Sequence, residues 1–340
     1  MRNYTFKIIV IIVILITVFL VSLAVGRYAI KPGEVMELLF HGITGKEVTV
    51  DEMTQSVFYG VRLPRAIAAV IIGAALSLSG AGYQGILRNP IVAPDILGAS
   101  SGASLGAAIG IMFDLPVIGI EALAFAGGLL AVGIAFFISR SFAQGGHSHT
   151  IILVLTGMVV AAFFSAGISI IKYVGDPYDT LPALTFWLMG GLSYVEKSDL
   201  LVLLVPFVIG AVPLFLLRWK LNILCFSDEE AKTLGAQAGK VRGIVILCAT
   251  LLTCSSVAVG GMIGWVGLVI PHIARMLTGP DFRKLLPMTA VIGGGFLLAV
   301  DDVARSVLAQ EIPIGILTAI IGAPVFLYML ARSGHLIGDA

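Results

Sequence analysis

Apolar residues in this chain run in blocks of about twenty, and charged residues, glycine and proline gather between the blocks. A bilayer core takes about 20 apolar residues of helix. Blocks of that length predict membrane-crossing helices rather than amphipathic ones with a single apolar stripe. They predict ten helices, near residues 6–27, 62–81, 92–112, 117–141, 150–172, 199–219, 240–260, 266–278, 286–308 and 314–332. The eighth is too short for a straight span, so it is either broken at Pro271 or continuous with its neighbours. Arg2 and Lys7 precede an uncharged run from Ile8 to Gly26, and Ser22-Leu23-Ala24 has the small residues of a signal-peptidase site. That run is long enough to span alone, whereas a signal core has about 7–15 residues, so it is read as a retained first helix. No internal repeat or low-complexity linker divides the chain, and 1–340 reads as a single transmembrane domain.

Composition agrees with this pattern. Residues are 58% hydrophobic and 12% charged, against roughly 25% charged in soluble domains, which makes the fold class an all-α integral membrane protein. The 40 glycines suit helices that approach closely in lipid. A net charge of +1 gives no reason to expect a nucleic-acid partner. Cys225, Cys248 and Cys254 show no metal spacing and read as small packing residues. His147 and His149 are a weak metal pattern in what reads as a solvated loop. No cofactor or metal site is expected. No GxxxxGK[ST] occurs, so the chain does not bind nucleotide by that route.

Charge sets the expected orientation. With both termini inside (N-in, C-in), thirteen of the 21 lysines and arginines fall on the inner side and eight on the outer, as the positive-inside rule favours. Arg62, Arg65 and Arg305 are then on the outer side, among acids that include Glu34, Glu37, Asp51, Asp176 and Glu196. A guanidinium keeps its charge and pairs bidentately with carboxylate or phosphate. These arginines therefore suit docking of an acidic protein, attraction of an anionic solute, or anchoring to lipid phosphate.

Other constellations stand out. Ser227-Asp228-Glu229-Glu230-Ala231-Lys232-Thr233-Leu234-Gly235 reads as a short acidic helix on the inner side, with Ser227 as cap, acids in the first turn and Gly235 at the end. Acids there run against the positive-inside trend, which suggests a basic protein partner or simply a solvated loop helix. Small residues around Gly80-Ala81-Gly82-Tyr83-Gln84, and from Leu97 to Ala103, permit close helix crossings or irregular backbone beside a cavity. His272 and Arg275 share a helix face near the inner surface. Asp301 and Asp302 lie within a span, where carboxylates are functional by default, although Asp301 and Arg305 are spaced to pair with each other.

Taken in order, these residues resemble a known family. The chain carries Arg62-Leu63-Pro64-Arg65, Gly80-x-x-x-Gln84, Arg88-Asn89-Pro90, Asp228-Glu229-Glu230-Ala231-x-x-Leu234-Gly235 and Gly264-x-Val266-Gly267-Leu268-x-x-Pro271-His272-x-x-Arg275. It continues with Gly279-Pro280-Asp281, Asp301-x-x-Ala304-Arg305 and Pro313-x-Gly315-x-x-Thr318-x-x-x-Gly322-Ala323-Pro324. The pattern resembles the permease family of type II ABC importers for iron-siderophores, haem and cobalamin, over about 60 to 332. The resemblance implies ten transmembrane helices per subunit, and two permeases, as identical copies or paralogues, around a central pathway in a prokaryotic cytoplasmic (inner) membrane. It also implies two cytoplasmic ABC ATPase subunits and an extracytoplasmic solute-binding protein, with membrane lipid around the assembly. Arg62, Arg65 and Arg305 would meet glutamates of the binding protein. Asp228, Glu229, Glu230, Ala231 and Leu234, within a segment at about 221–239, would couple to the ATPases. Thr150 would stand at the cytoplasmic gate, with Ile151 where the family has a second hydroxyl, and Ser227 replaces the family's usual glycine.

The expected function is therefore import of a ferric siderophore, haem or cobalamin by alternating access, with no chemistry performed by this chain. Apolar pathway walls do not define the cargo, and oxyanions such as molybdate fit as well. A rival reading is an ion-coupled secondary transporter using Asp301, Asp302 and Arg305.

Overall fold

The computed structural model describes residues 2–26, 28–45, 49–142, 149–226, 228–235 and 237–334 of the 340; within them the side chains of Arg2, Asn3, His149, Thr150, Asp228, Glu229, Lys232, Leu330 and 332–334 are not described. Regular structure among the described residues is entirely helical. In chain order the helices are α1 (Arg2–Ala24), α2 (Pro32–Thr44), α3 (Glu52–Val57), α4 (Leu63–Ile86) and α5 (Ala99–Met112). Next come α6 (Val117–Phe142), α7 (His149–Val174), α8 (Thr180–Met189), α9 (Asp199–Leu216), α10 (Arg218–Leu224) and α11 (Asp228–Thr233). The last four are α12 (Ala238–Gly260), α13 (Val266–Thr278), α14 (Phe282–Ser306) and α15 (Ile314–Gly334). A π-helical turn, Phe58–Arg62, joins α3 to α4, giving a continuous helix of 35 residues.

Each predicted apolar block holds one helix, and among the described residues seven helices are long and apolar enough to cross a membrane: α1, α3–α4, α6, α7, α9, α12 and α14. Two blocks differ from expectation for identifiable reasons. The third block starts at Ala99 rather than 92, because Pro94 and the left-handed Gly98 (φ +84°) hold the preceding segment in turns. The eighth is unbroken, with Pro271 inside α13. The connecting segments also contain α2, α3, α8, α10 and α11, too short or too polar to show as apolar blocks.

The helix α1 sets the two ends of the bundle. At the near end, where it begins, the Tyr4 hydroxyl donates to the Lys284 carbonyl at 3.3 Å and Lys7 Nζ donates to the Leu277 carbonyl at 2.9 Å. At the far end the Ser22 hydroxyl donates to Asp302 Oδ1 at 2.7 Å. The helices α1 and α14 are therefore parallel, and α4 runs against them.

The most deeply placed helix is α4. Its most apolar window is 83% buried, against 11% for α1 and 22% for α7. Small residues make this possible. A Cβ at Gly80 would lie 1.8 Å from the Gly267 carbonyl oxygen, and one at Gly73 would lie 2.2 Å from the Gly293 oxygen. Pro271 has no N–H, so the Gly267 carbonyl lacks its donor one turn on, and the bare Cα of Gly80 lets α4 lie against it. The close crossing expected at Gly80 is present. In the opposite direction, α7, α8 and α15 each leave apolar side chains exposed, including Val159, Phe163, Phe186, Ile320 and Tyr328.

Candidate functional site

Two polar regions stand at opposite ends of this apolar bundle. At the far end, Arg62 closes the π-helical turn and Arg65 lies in the first turn of α4, where Pro64 presets the helical φ. Asp301, Asp302 and Arg305 lie in the last turns of α14, and Glu311 lies in the connection to α15. All three arginines converge, as the sequence led us to expect. They are not free surface cations, however: Arg62, Arg65 and Arg305 are only 5%, 6% and 8% exposed.

Their hydrogen bonds explain how such charge is tolerated. Arg65 Nε donates to both Asp301 oxygens at 3.1 and 3.0 Å, and Nη2 donates to Oδ1 at 2.8 Å. Its Nη1 donates to Glu311 Oε1 at 3.1 Å, with Nη2 3.0 Å from Oε2. Arg305 pairs with Asp302, Nε to Oδ1 at 3.2 Å, and its Nη2 donates to the Ser22 hydroxyl at 2.9 Å. Arg62 Nη1 donates to the Leu23 carbonyl at 2.7 Å and Nη2 to that of Tyr28. Gly26 sits between the guanidiniums; a Cβ there would lie 2.8 Å from Arg62 Nη2 and 3.3 Å from Arg305 Nη1. Buried charge is strongly unfavourable unless paired, and the three arginines face three carboxylates in Asp301, Asp302 and Glu311. Arg62 is the member whose hydrogen bonds go to backbone carbonyls.

The pairing expected between Asp301 and Arg305 is the weaker one. Those groups are 3.8 Å apart, while Asp301 is bonded to Arg65 and Arg305 to Asp302. Both carboxylates that an ion-coupled transporter would use are thus engaged by arginines, and Asp302 also by Ser22. Sequence reading missed Ser22, Ser193 and Glu311. The Ser193 hydroxyl donates to Glu311 Oε2 at 2.5 Å, tying the segment after α8 to the arginines. A signal for Glu311 existed, since it is the single ionisable residue between Ser306 and Ile314.

At the near end, α11 carries the acidic segment and follows the basic α10. Ala231 is fully buried, Leu234 is 58% exposed, Glu230 is exposed, and Gly235 has φ +75°, the left-handed geometry that ends a helix. Ser227 and the side chains of Asp228, Glu229 and Thr150 lie outside the described residues. The anchor of α10 is Asn222. Its Nδ2 donates to Asp281 Oδ1 at 2.7 Å, and its Oδ1 accepts from the Phe282 N–H at 2.9 Å. Asp281 caps α14 and binds Arg283 through Oδ2 at 2.8 Å. Hydrogen bonds from Arg283, then Asn222, hold its carboxyl well below the usual carboxylate range. Nearby, Arg275 Nη2 donates to Gln84 Oε1 at 3.1 Å, and Arg88 Nε donates to the Leu224 carbonyl at 2.8 Å. Three motif segments distant in sequence therefore meet beneath α10. Burial pushes the Cys225 thiol up, against the opposing pull of Arg275 and Arg88. Among the described residues no group of three His, Cys, Asp or Glu side chains stands ready for a metal.

A stack of apolar helices with a small-residue core and polar machinery at each end is the architecture of a multi-pass membrane permease. The sequence profile of the FecCD transport family matches residues 14–332, and the chain belongs to that family. It is 39% identical to the molybdate import system permease protein MolB of Haemophilus influenzae, over 94% of this chain and 95% of that one. It is 41% identical to a probable iron chelatin transport system permease protein of Helicobacter pylori, over 80% and 82% of the respective chains. Among solved structures it matches an inward-facing metal-chelate type ABC transporter, with a TM-score of 0.84, 36% identity and coverage of 96% of this chain and 99% of that one.

Proposed function

We propose that the chain is the membrane-spanning permease subunit of an ATP-driven importer that receives a metal chelate, haem or cobalamin from a soluble binding protein and passes it inward by alternating access. The observation that carries this is the likeness to a metal-chelate type ABC transporter along nearly the whole chain. The named relatives differ in cargo, one importing molybdate and another associated with iron chelatin, so the cargo is read as a class of metal complexes and related anions. The near end faces the cytoplasm and the far end the outside, with both termini inside, as the distribution of lysine and arginine favours. The chain acts as one permease domain in the cytoplasmic membrane. The exposed apolar side chains of α7, α8 and α15 are met by a second permease, which completes the pathway.

Two ABC ATPase subunits bind at the near end. The segment at 221–239 transmits their closure through Asp228, Glu229, Glu230, Ala231 and Leu234, and Thr150 gates the inner mouth. The exposed Glu230 and Leu234 and the buried Ala231 support this reading, because they give α11 and the turn after it an outward side and an anchored one. At the far end Arg62, Arg65 and Arg305 receive the acidic binding protein; Arg62, whose hydrogen bonds go to backbone carbonyls, is suited to take a carboxylate from outside. The test is uptake into liposomes containing the permease and its co-purified ATPase. Glu229→Arg with Glu230→Arg is expected to leave ATP hydrolysis running while accumulation falls to background. Uptake at the unsubstituted rate would refute the coupling role.

A further inference from the structure

Given docking at the three arginines, we propose that Glu311 is a built-in competitor for the docking protein. Its carboxylate occupies the edge of Arg65 that a partner's acidic side chain takes, and its departure releases the segment that follows α8.

The geometry of Arg65 forces the choice. A guanidinium offers five N–H donors in a rigid planar fork with two useful edges. One edge of Arg65, Nε and Nη2, holds Asp301, and the other, Nη1 and Nη2, holds Glu311. A third carboxylate enters only where one of these two leaves. Asp301 cannot leave cheaply: its side chain is 1% exposed, fixed on α14, and also 3.8 Å from Arg305. Glu311 is 29% exposed and lies in the non-helical connection between α14 and α15. Arg65 alone is almost sealed from outside, at 7% exposure of its side chain, so Glu311 must swing away before a partner can reach it.

The same movement has a destination. Glu311 Oε2 accepts the Ser193 hydroxyl. Three residues before Ser193, the Gly190 carbonyl accepts the Ile314 N–H at 2.9 Å, three residues after Glu311. Two ties therefore join the α14–α15 connection to the segment after α8, one through side chains and one through backbone. Displacing Glu311 breaks the first and leaves the second as a hinge. Helices α8 and α15 belong to the face assigned to the pathway, so arrival of the partner is relayed to the outer mouth.

The experiment measures binding of the soluble binding protein of the same transport system to the full permease–ATPase complex in nanodiscs. Variants are Glu311→Gln, Ser193→Ala, Arg62→Gln and Arg65→Gln. Removing an occluding state raises apparent affinity by the inverse of the open fraction, so Glu311→Gln is expected to bind about tenfold tighter, and Ser193→Ala tighter by a smaller factor. Arg62→Gln and Arg65→Gln are expected to bind at least tenfold more weakly. Loss of affinity in the arginine variants, with Glu311→Gln unchanged or weaker, overturns the competitor role and leaves docking intact. Unchanged affinity in all four overturns docking itself, and the competitor with it. Should Glu311→Gln fail to fold, Ser193→Ala decides: tighter binding supports the proposal, and unchanged or weaker binding overturns it. Hydrogen exchange supplies an independent reading, because binding is expected to raise exchange at 190–195 and 307–313; unchanged exchange there refutes the relay.

Discussion

The far-end arginine cluster and the near-end acidic segment are both charged regions at the edge of an apolar bundle, yet they are built in opposite ways. At the far end, side chains from α1, α4, α14 and the α14–α15 connection saturate one another's hydrogen bonds, and Asp301 is almost wholly buried. At the near end, α11 is six residues long, with Glu230 and, in the turn after it, Leu234 exposed, and is held inward by Ala231. Its neighbour α10 rests on one polar clamp, Asn222 with Asp281. Charge sunk into a membrane protein must be neutralised in place, whereas a short exposed helix carries its charge at the surface. On the proposed function, the far end is then a lock for a partner to open, and the near end a handle for a partner to grip.

Three substitutions test this contrast. Asp301→Ala has the largest expected effect, because it strips the Nε–Nη2 edge of Arg65 of its carboxylate and leaves three buried arginines facing two carboxylates, Asp302 and Glu311. A loss of about 3–5 kcal/mol is expected, seen as a sharply lower melting temperature in detergent. If it is no more harmful than a near-end substitution, the distinction between lock and handle fails. Next comes Ala231→Leu, which forces a larger side chain into a filled position beneath α11. About 1–3 kcal/mol is expected, along with weaker ATPase co-purification; unchanged association would show that α11 does not set the near-end contact. The smallest is Asp281→Ala, worth about 1 kcal/mol as a lost cap.

Asp281 also carries a pH signature. Its folded carboxyl is held below the ordinary range, so the ionised form is the one the fold favours. Its contribution is fully present above the unfolded aspartate value and is lost as pH falls through the depressed folded value. The stability gap between the natural chain and Asp281→Ala should therefore persist through neutral and mildly acidic pH and close only in strong acid. A gap that closes near neutrality would mean that the clamp seen with Arg283 and Asn222 does not hold in solution.

Much of this molecule was legible from its residues. Every apolar block became a helix, because length and hydrophobicity alone decide whether a segment can satisfy its backbone within lipid. The motif residues at both ends were legible too, as was the close approach at Gly80, since charge, proline and glycine are conspicuous in an apolar chain. The short helices α2, α8 and α10 were not, because a helix of one to three turns outside an apolar block owes its existence to what it packs against. Nor was Pro271 decided by its own sequence: a proline breaks a helix only where its lost hydrogen bond and ring go unaccommodated, and here the small backbone at Gly80 lies against the freed carbonyl.

The sequence by itself determined that this is a bundle of membrane helices of the FecCD transport family, with arginines at one end and an acidic helix at the other. Only the tertiary structure decided what those arginines touch. Arg65 lies 236 positions from Asp301 and 246 from Glu311, and no local rule links residues so far apart. Their meeting follows from the packing of α4 against α14, which is set by small side chains along the whole interface and not by the charges that it brings together.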